Sequence, residues 1–345
     1  MRIVVAMSGG VDSSVVAGLM HAAGHEVIGV TLQLYDHGAA AGRKGACCAG
    51  QDIHDARNVA DRLGIAHYVI DAEAAFRKAV IADFAESYAT GKTPVPCVRC
   101  NQHLKFGDLL GLARDLGAEA LATVHYVRRE QGRDGAELHR AADAARDQSW
   151  FLFATTRDQL EFARFPLGTM PDKAEVRAHA ATMGLQVADK PDSQDICFVP
   201  SGSYADIVTK LRPDAGLPGD IVDQDGTVLG SHQGIARYTV GQGKRLGAAS
   251  GRVVTEIDAG RRRLVVGPRG TGSRRVRLAE PNWLIEPPGT PFRATVKLRA
   301  RETPQDAEID AATGIVTLDT AALAAPGQAC VIYDGTRVLG GGFIV

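Results

Sequence analysis

Along the first 126 residues, short apolar runs alternate with segments whose apolar positions recur at helical spacing. Residues 2–7, RIVVAM, make an apolar run of strand length. The turn SGGVDSS follows, and VVAGLMHAAG then reads as a helix stopping at Gly24. HEVIGVTLQLY predicts a second strand, 52–63 a helix ending before Gly64, and AHYVIDA a third strand. Helix is predicted over 75–90 and again in LKFGDLLGLARDLG, with GKTPVPCVRCN as the loop between them. EALATVHY closes the series as a fourth strand. This alternation predicts an α/β class with a doubly wound parallel sheet.

The stretch 128–149 is polar, with a turn at GRDG. KAEVRAHAATMG predicts a helix, and DKPDSQDICFVPSG a turn-rich loop. After about residue 205 the pattern changes to short runs cut by Gly or Asp turns, such as DIVD, TVLGSH, RVVTEIDA and RRLVVGP. These predict antiparallel β structure. RVRLAEPNWL, FRATVKLRA, AEIDAATGIVTLD and QACVIYDGTRVLGGGFIV add a small barrel or sandwich. The expected domains are 1–204, a catalytic α/β domain; 205–272, a small central β domain; and 273–345, a C-terminal β-barrel.

Composition changes this picture little. Hydrophobic residues make up 45% and charged residues 23% of 345, an ordinary globular balance. No apolar run nears the ~18 residues of a membrane span, and MRIVVAMSGG lacks the apolar stretch of a signal peptide. The expectation is a cytoplasmic protein with no membrane partner. Charge is more informative. Lys+Arg minus Asp+Glu is 39 − 40 = −1 overall, but 16 − 10 = +6 over 231–345 and 23 − 30 = −7 over 1–230. A basic C-terminal third is suited to a polyanion, or equally to solvating a β surface.

Strand–SGGVDSS–helix is the first motif with chemistry. Gly9 and Gly10 let backbone approach an anion, the helix N-terminus offers free N–H groups, and Ser8, Ser13 and Ser14 can add hydroxyls. The lysine of G-x-x-x-x-G-K-[ST] is missing, so transfer of a terminal phosphate is not the natural expectation. Asp12 would repel phosphate unless it orients groups or helps to hold Mg²⁺.

The six cysteines are Cys47, Cys48, Cys97, Cys100, Cys197 and Cys330. Cys100 precedes a predicted helix and follows Arg99, both of which favour thiolate. Cys197 lies near Asp192 and Asp195, which oppose it. One thiol then suits attack and the other suits carrying sulfur, and the two could exchange through a disulfide. Two further readings stay open: Cys97, Cys100 and Cys197 as ligands of a [4Fe-4S] cluster with one open iron, and zinc on Cys47, Cys48, Cys97 and Cys100, for which an adjacent pair is poor spacing.

AMSGGVDSS resembles the PP-loop of ATP pyrophosphatases, a superfamily that includes argininosuccinate synthases, GMP synthetases and tRNA thiolases. The resemblance extends along the chain. CxxCNxxLKFGDLL, ATVHYVR, RDQSWFL, LGTMPDKAEVR, KPDSQDICF, GSHQGIARYTVGQGKRLG and PGQACVIYDGTRVLGGGFI occur in the order seen in bacterial tRNA-specific 2-thiouridylases. That resemblance implies a PP-loop domain, a central β domain and a C-terminal barrel. It implies ATP-dependent 2-thiolation of the wobble uridine, U34, through an adenylated intermediate and a cysteine persulfide.

By motif, Cys197 carries the persulfide, Cys100 is the nucleophile that forms a transient disulfide with it, and Asp12 belongs to the catalytic group. ATP contacts fall on Ala6, Met7, Ser8, Gly9, Gly10, Val11, Asp12, Ser13, Leu32 and Val124. Contacts to tRNA fall on His125, Arg146, Asp147, Gln148, Arg299 and Gln328, and exposed Lys244 and Arg245 in VGQGKRLG join them. The implied partners are tRNAs for Lys, Glu and Gln and a cysteine desulfurase or sulfur-relay donor; the implied cofactors are ATP and Mg²⁺. Val124 and Cys97 stand where many members have Gly and Asp. The alternative is another PP-loop enzyme that adenylates a small molecule for amidation or ligation, with no need of Cys100 or Cys197.

Overall fold

The computed structural model describes residues 1–35, 48–191, 196–199 and 203–345. Asp192, Asp195 and Cys47 lie outside them. The chain groups into two compact units. One comprises Met1–Ala79, Arg99–Phe198 and Thr336–Val338; the other Val80–Val98, Val199–Gly335 and Leu339–Val345.

In the first unit, β1 (Arg2–Ala6), β2 (Glu26–Gln33), β3 (Ala66–Asp71), β4 (Ala120–Ala122) and β7 (Ala163–Arg164) form a sheet in the order β3-β2-β1-β4-β7. All its pairings are parallel. Ile3, Val4 and Val5 are buried, as a strand covered on both faces requires. The chain winds outward from β1 through β2 to β3, then returns to β4 on the other side of β1. The switch point therefore lies between β1 and β4, the place where doubly wound sheets bind ligands. SGGVDSS leaves β1 there. Helix α1 (Val11–Ala22) packs Val15, Val16 and Ala17 into the core, and α2 (Cys48–Leu63) adds Ala56 and Val59.

Three local readings change. The polar stretch after β4 is a hairpin, β5 (Val127–Gly132) and β6 (Gly135–Arg140), turning at GRDG. The loop GKTPVPCVRCN is partly helical: Pro96–Cys100 is α-helix, running on through a π-helical stretch, Asn101–Leu109, and Leu110–Asp115. Pro96 is preorganised for a first helical position, so the helix begins eight residues earlier than the predicted start at Leu104. Cys100 thus lies inside the helix, and Cys97 is the thiol in its first turn.

In the second unit, β8 (Gly219–Val222), β9 (Val228–His232), β10 (Val253–Asp258) and β11 (Arg263–Gly267) form a sheet in the order β10-β11-β8-β9. Two antiparallel hairpins meet in a parallel β8–β11 pairing, so this sheet is mixed where a wholly antiparallel one is expected. Strands β12 (Ser273–Trp283), β13 (Phe292–Lys297), β14 (Gln305–Asp310), β15 (Ile315–Ala322), β16 (Ala329–Asp334) and β17 (Arg337–Ile344) follow in the order β12-β15-β14-β13-β16-β17. Pairing of β12 with β17 closes a six-stranded barrel and removes its edges. Val296, Ile309, Val316, Leu318 and Ile332 fill it. Cys330 is fully buried there, and its thiol is pushed up to about 12 by burial and then by Glu302, so it is an inert core residue.

Gly327 turns the chain before β16 with φ +87°, and a Cβ there would stand 3.0 Å from the Thr93 backbone. Gly335, between β16 and β17, has φ +56° and open space around it. Gly335→Ala is expected to cost only the left-handed penalty, about 1–2 kcal/mol, and Gly327→Val clearly more. Urea midpoints of the two variants check the order.

Candidate active site

The loop after β1 is held by its own side chains. Gly9 has φ +74°, and a Cβ there would overlap the Asp52 carbonyl of α2. It is a glycine for its conformation and for its packing. Gly10 is the N-cap of α1, extended at φ −90°, and offers no side chain to the first amides of the helix. The first helical bond runs from Ser14 N to the Gly10 carbonyl. The N–H groups of Val11, Asp12 and Ser13 precede it, which is the arrangement that binds anions. Ser13 and Ser14 do not add donors as the sequence suggests. Both are fully buried and donate to the Gly10 carbonyl, at 3.1 and 2.9 Å. Ser13 Oγ also accepts the Ser8 amide at 3.1 Å. Ser8, alone of the three, is exposed. Met7 is buried; its carbonyl accepts from Thr31 on β2 at 2.7 Å, beside half-buried Leu32. Ala6 ends β1, and Val124 follows β4 against the same core.

Asp12 points its charge at two partners. Lys173 Nζ lies 2.6 Å from Oδ1, and the Tyr126 hydroxyl donates to the same oxygen at 2.9 Å. Lys173 is buried in the first turn of helix Lys173–Thr182, whose N-cap is Asp172. The repulsion that Asp12 would exert on phosphate is thereby cancelled within the protein.

A second lysine clamps the loop from behind. Lys190 Nζ donates to the Gly9 carbonyl at 3.0 Å, to Asp52 at 2.7 Å and to Asp55 at 2.6 Å. Burial alone would lower its pKa; the bonds to the two carboxylates outweigh it and raise it. Asp55 moves the opposite way: the Lys190 and Gln51 bonds overcome its own desolvation and lower its pKa. Arg177 holds the carbonyls of Ala188 and Lys190, the latter at 3.0 Å, and so fixes the backbone on either side of Asp189.

Cys100 is buried and Cys197 exposed. Next to Cys197, Phe198 packs edge-on against Phe76 at 5.8 Å. Next to Cys100, Asn101 accepts from His125 Nε2 at 3.1 Å and donates to the Phe151 carbonyl at 3.1 Å. The carbonyl fixes the amide orientation, so Nε2 carries the proton, and Thr123 donates to Nδ1 at 2.8 Å. His125 is buried, and desolvation, then Lys105, holds its pKa well below the usual value. It is a neutral imidazole with both nitrogens engaged inside the fold.

The neighbours 146–148 wrap Tyr126. Gln148 accepts the Tyr126 amide on its side chain at 2.9 Å and donates its own amide to the Tyr126 carbonyl at 3.0 Å. The Arg146 guanidinium stands 5.8 Å from the Tyr126 ring centre. Asp147 accepts from Ala141 N, Ser149 N and Ser149 Oγ, and so braces the loop.

In the second unit, Lys244 and Arg245 are exposed, and Arg245 is left-handed at φ +65°. Exposed Arg299 lies against Gly241, where a Cβ would stand 2.7 Å from its Nη2. Arg269 lies similarly against Gly243. Lys244 and Arg245 belong to the loop between β9 and β10, and Arg299 and Arg269, from two other loops, lie against glycines of it. Gln328 is turned inward, donating to the Thr93 carbonyl at 3.0 Å.

The residues that sequence reasoning missed are Lys173, Lys190, Tyr126, Asn101 and Arg269. Two of these lysines sit in PDKAEVR and DKPDSQDICF, but their partners, Asp12 and Gly9, are 161 and 181 positions away. Among the described residues no three His, Cys, Asp or Glu side chains gather as metal ligands. That does not fit a three-thiolate cluster on Cys97, Cys100 and Cys197. Nor is any helix among them long and apolar enough to cross a membrane.

Three family models cover the chain in succession: a tRNA methyl transferase HUP domain at residues 1–201, a tRNA methyl transferase PRC-barrel domain at 205–268 and an aminomethyltransferase beta-barrel domain at 273–344. The chain is 83% identical to the tRNA-specific 2-thiouridylase MnmA of Acidiphilium cryptum, over all of both chains. It is 63% identical to that of Gluconobacter oxydans, over 100% of this chain and 99% of the other, and 55% identical to that of Dinoroseobacter shibae, over 99% and 93%.

Two outcomes are expected. Lys190→Met leaves Asp52 and Asp55 facing each other without a counter-charge, and should destabilise the first unit by about 1–3 kcal/mol. Adding Asp52→Asn should recover part of the loss, read as urea midpoints. His125 has a folded pKa below its unfolded 6.5, so the unfolded chain takes up the proton first. Its contribution is complete above about pH 6.5 and shrinks as pH falls below that. His125→Gln should flatten stability over this acidic range, measured by denaturation at a series of pH values.

Proposed function

The chain belongs to the tRNA-specific 2-thiouridylase family, and from that premise we propose that it installs sulfur at C2 of the wobble uridine, U34, of tRNA with ATP as activator. It is a tRNA sulfurtransferase. The observation that carries the assignment of chemistry is the uncapped, charge-balanced loop of residues 6–13 at the sheet's switch point.

A uridine carbonyl oxygen is a poor leaving group, so it is first converted to a good one. The C2 oxygen attacks the α-phosphorus of ATP, pyrophosphate leaves, and uridine carries AMP. Val11, Asp12 and Ser13 amides face the phosphates, and Ala6, Met7, Leu32 and Val124 flank the nucleotide. Mg²⁺ brought with ATP would supply a counter-charge to the phosphates. Such sites need only one or two protein carboxylates, and Asp12 is the carboxylate at the loop. Cys197 carries the persulfide, as suits an exposed thiol that a donor must reach. Its terminal sulfur attacks C2 and AMP leaves. The Cys100 thiolate then attacks Cys197 Sγ. One S–S bond breaks and another forms, C2 keeps the sulfur, and a thiol reductant reopens the disulfide.

His125 orients Asn101 beside Cys100 and acts through that contact. Arg146, Lys244, Arg245 and Arg299 engage phosphates, while Asp147 and Gln148 hold the segment that presents Arg146. Gln328 acts by holding Thr93. The functional division runs 1–204, 205–272 and 273–345. The substrates are tRNAs for Lys, Glu and Gln, the donor is a cysteine desulfurase or its relay, and the site of action is the cytoplasm.

The test is nucleoside mass spectrometry of unthiolated tRNA incubated with the protein, ATP, Mg²⁺ and a sulfide or persulfide donor. ATP-dependent 2-thiouridine is expected with wild type and none with Cys100→Ser or Cys197→Ser, while both variants still bind tRNA. A serine variant that turns over on the persulfide donor overturns the thiol roles. Affinity for tRNA should fall steeply with salt, and the slope should drop by about one for each of Lys244→Ala and Arg245→Ala.

A further inference from the structure

We propose that Tyr126 is a positioning residue that makes activation of ATP responsive to RNA, by linking the segment 146–148 to Asp12; this rests on the tRNA-thiolation reading above. The link is a short chain of contacts within the first unit. The Tyr126 hydroxyl donates to Asp12 Oδ1 at 2.9 Å, beside Lys173 Nζ at 2.6 Å from the same oxygen. Both bonds fall on Oδ1. The Tyr126 backbone is gripped by Gln148 from both sides, amide and carbonyl. Its ring is flanked by the Arg146 guanidinium at 5.8 Å. Asp147 makes the segment one rigid piece through three bonds.

Each contact has a consequence. Tyr126 is almost wholly buried, so its ring cannot move alone. Arg146 is partly exposed, so an RNA phosphate can reach it and compete for its charge. Arg146 drawn to a phosphate leaves the Tyr126 ring, and the strain passes through Gln148 and the tyrosine backbone to the hydroxyl. Asp12 then shares its Oδ1 charge differently between Tyr126 and Lys173. Asp12 sits in the first turn of α1, where the phosphates must bind. The better its carboxylate is neutralised, the less it repels them. RNA at 146–148 is thereby read as charge at the nucleotide loop, with no direct contact between RNA and that loop.

The test is Tyr126→Phe, which keeps the ring and its Arg146 and Gln148 contacts and removes only the hydroxyl. Affinity for a non-hydrolysable ATP analogue with Mg²⁺ is measured with and without unthiolated tRNA, so that no acceptor chemistry enters, together with tRNA affinity by filter binding in the absence of nucleotide. Wild type is expected to bind the analogue more tightly with tRNA. Loss of a hydrogen bond to a charged group is expected to reduce that enhancement about tenfold or more in Tyr126→Phe, with tRNA affinity within about twofold of wild type. An enhancement equal to wild type overturns the coupling, and so does the absence of any enhancement in wild type. So does a loss of enhancement that is matched by a loss of tRNA affinity, since Tyr126 would then merely shape the RNA segment. Should wild type form no 2-thiouridine in the assay above, the underlying reading falls, and the proposal with it. Arg146→Met, in which the cation is gone but the hydroxyl remains, is expected to lose the enhancement even at saturating tRNA; full enhancement there also overturns the proposal.

Discussion

A carboxylate in the first turn of a phosphate-binding helix is an electrostatic contradiction, and the first unit is organised around resolving it. Asp12 would repel the ligand that the open amides of α1 attract. Lys173, delivered by a distant helix, and the Tyr126 hydroxyl bring the charge under control. A second lysine, Lys190, does the reverse for the loop's carbonyl side, fastening Gly9 to the two aspartates of α2. Both ammonium groups are embedded between opposite charges rather than aimed outward, so neither takes the part that the lysine of a G-K-[ST] loop plays. The loop is rigid because its polar groups bind one another, and it is receptive because the first three amides of α1 are left out of that arrangement.

This explains which parts of the site were legible in the sequence. Strand, glycine turn and helix follow from local pattern, and so the position of the loop could be read from residues 2–22 alone. The alternation of strand and helix pointed to a doubly wound sheet, while the place of its switch point needed the strand order. What pattern could not disclose was pairing across great separation. Lys173 and Lys190 look like surface lysines in polar stretches, and only the winding of the chain brings them to Asp12 and Gly9. His125 shows the converse. A histidine at a strand end on the ligand-bearing edge looks exposed, yet it is buried and bonded to Asn101 and Thr123, and desolvation and then Lys105 keep it neutral. The π-helical run Asn101–Leu109 and the early start at Pro96 were hidden because Pro and Cys-Val-Arg-Cys carry no helical apolar period.

The thiols divide by environment more than by local charge. Cys100 is shielded within a helix, Cys197 lies at the surface and Cys330 is sealed in the barrel core. On the proposed reading a sulfur carrier has to be met by a donor, whereas a resolving thiol has to be kept from reacting early; exposure of Cys197 and burial of Cys100 are suited to those two proposed parts.

The parallel meeting of β8 and β11 fixes an order of assembly. Each hairpin, β8–β9 and β10–β11, can form as soon as it is synthesised, because its partners are adjacent in sequence. The β8–β11 pairing must wait until residues 263–265 exist, long after residues 220–222. Parallel partners cannot be joined by a tight turn, so the chain needs slack between the hairpins, and that slack is residues 233–252. Lys244 and Arg245 ride on it. The loop that carries the exposed cations is therefore the by-product of a late-closing sheet. A deletion that shortened it would be felt first as a delay in folding and only afterwards as a loss of charge.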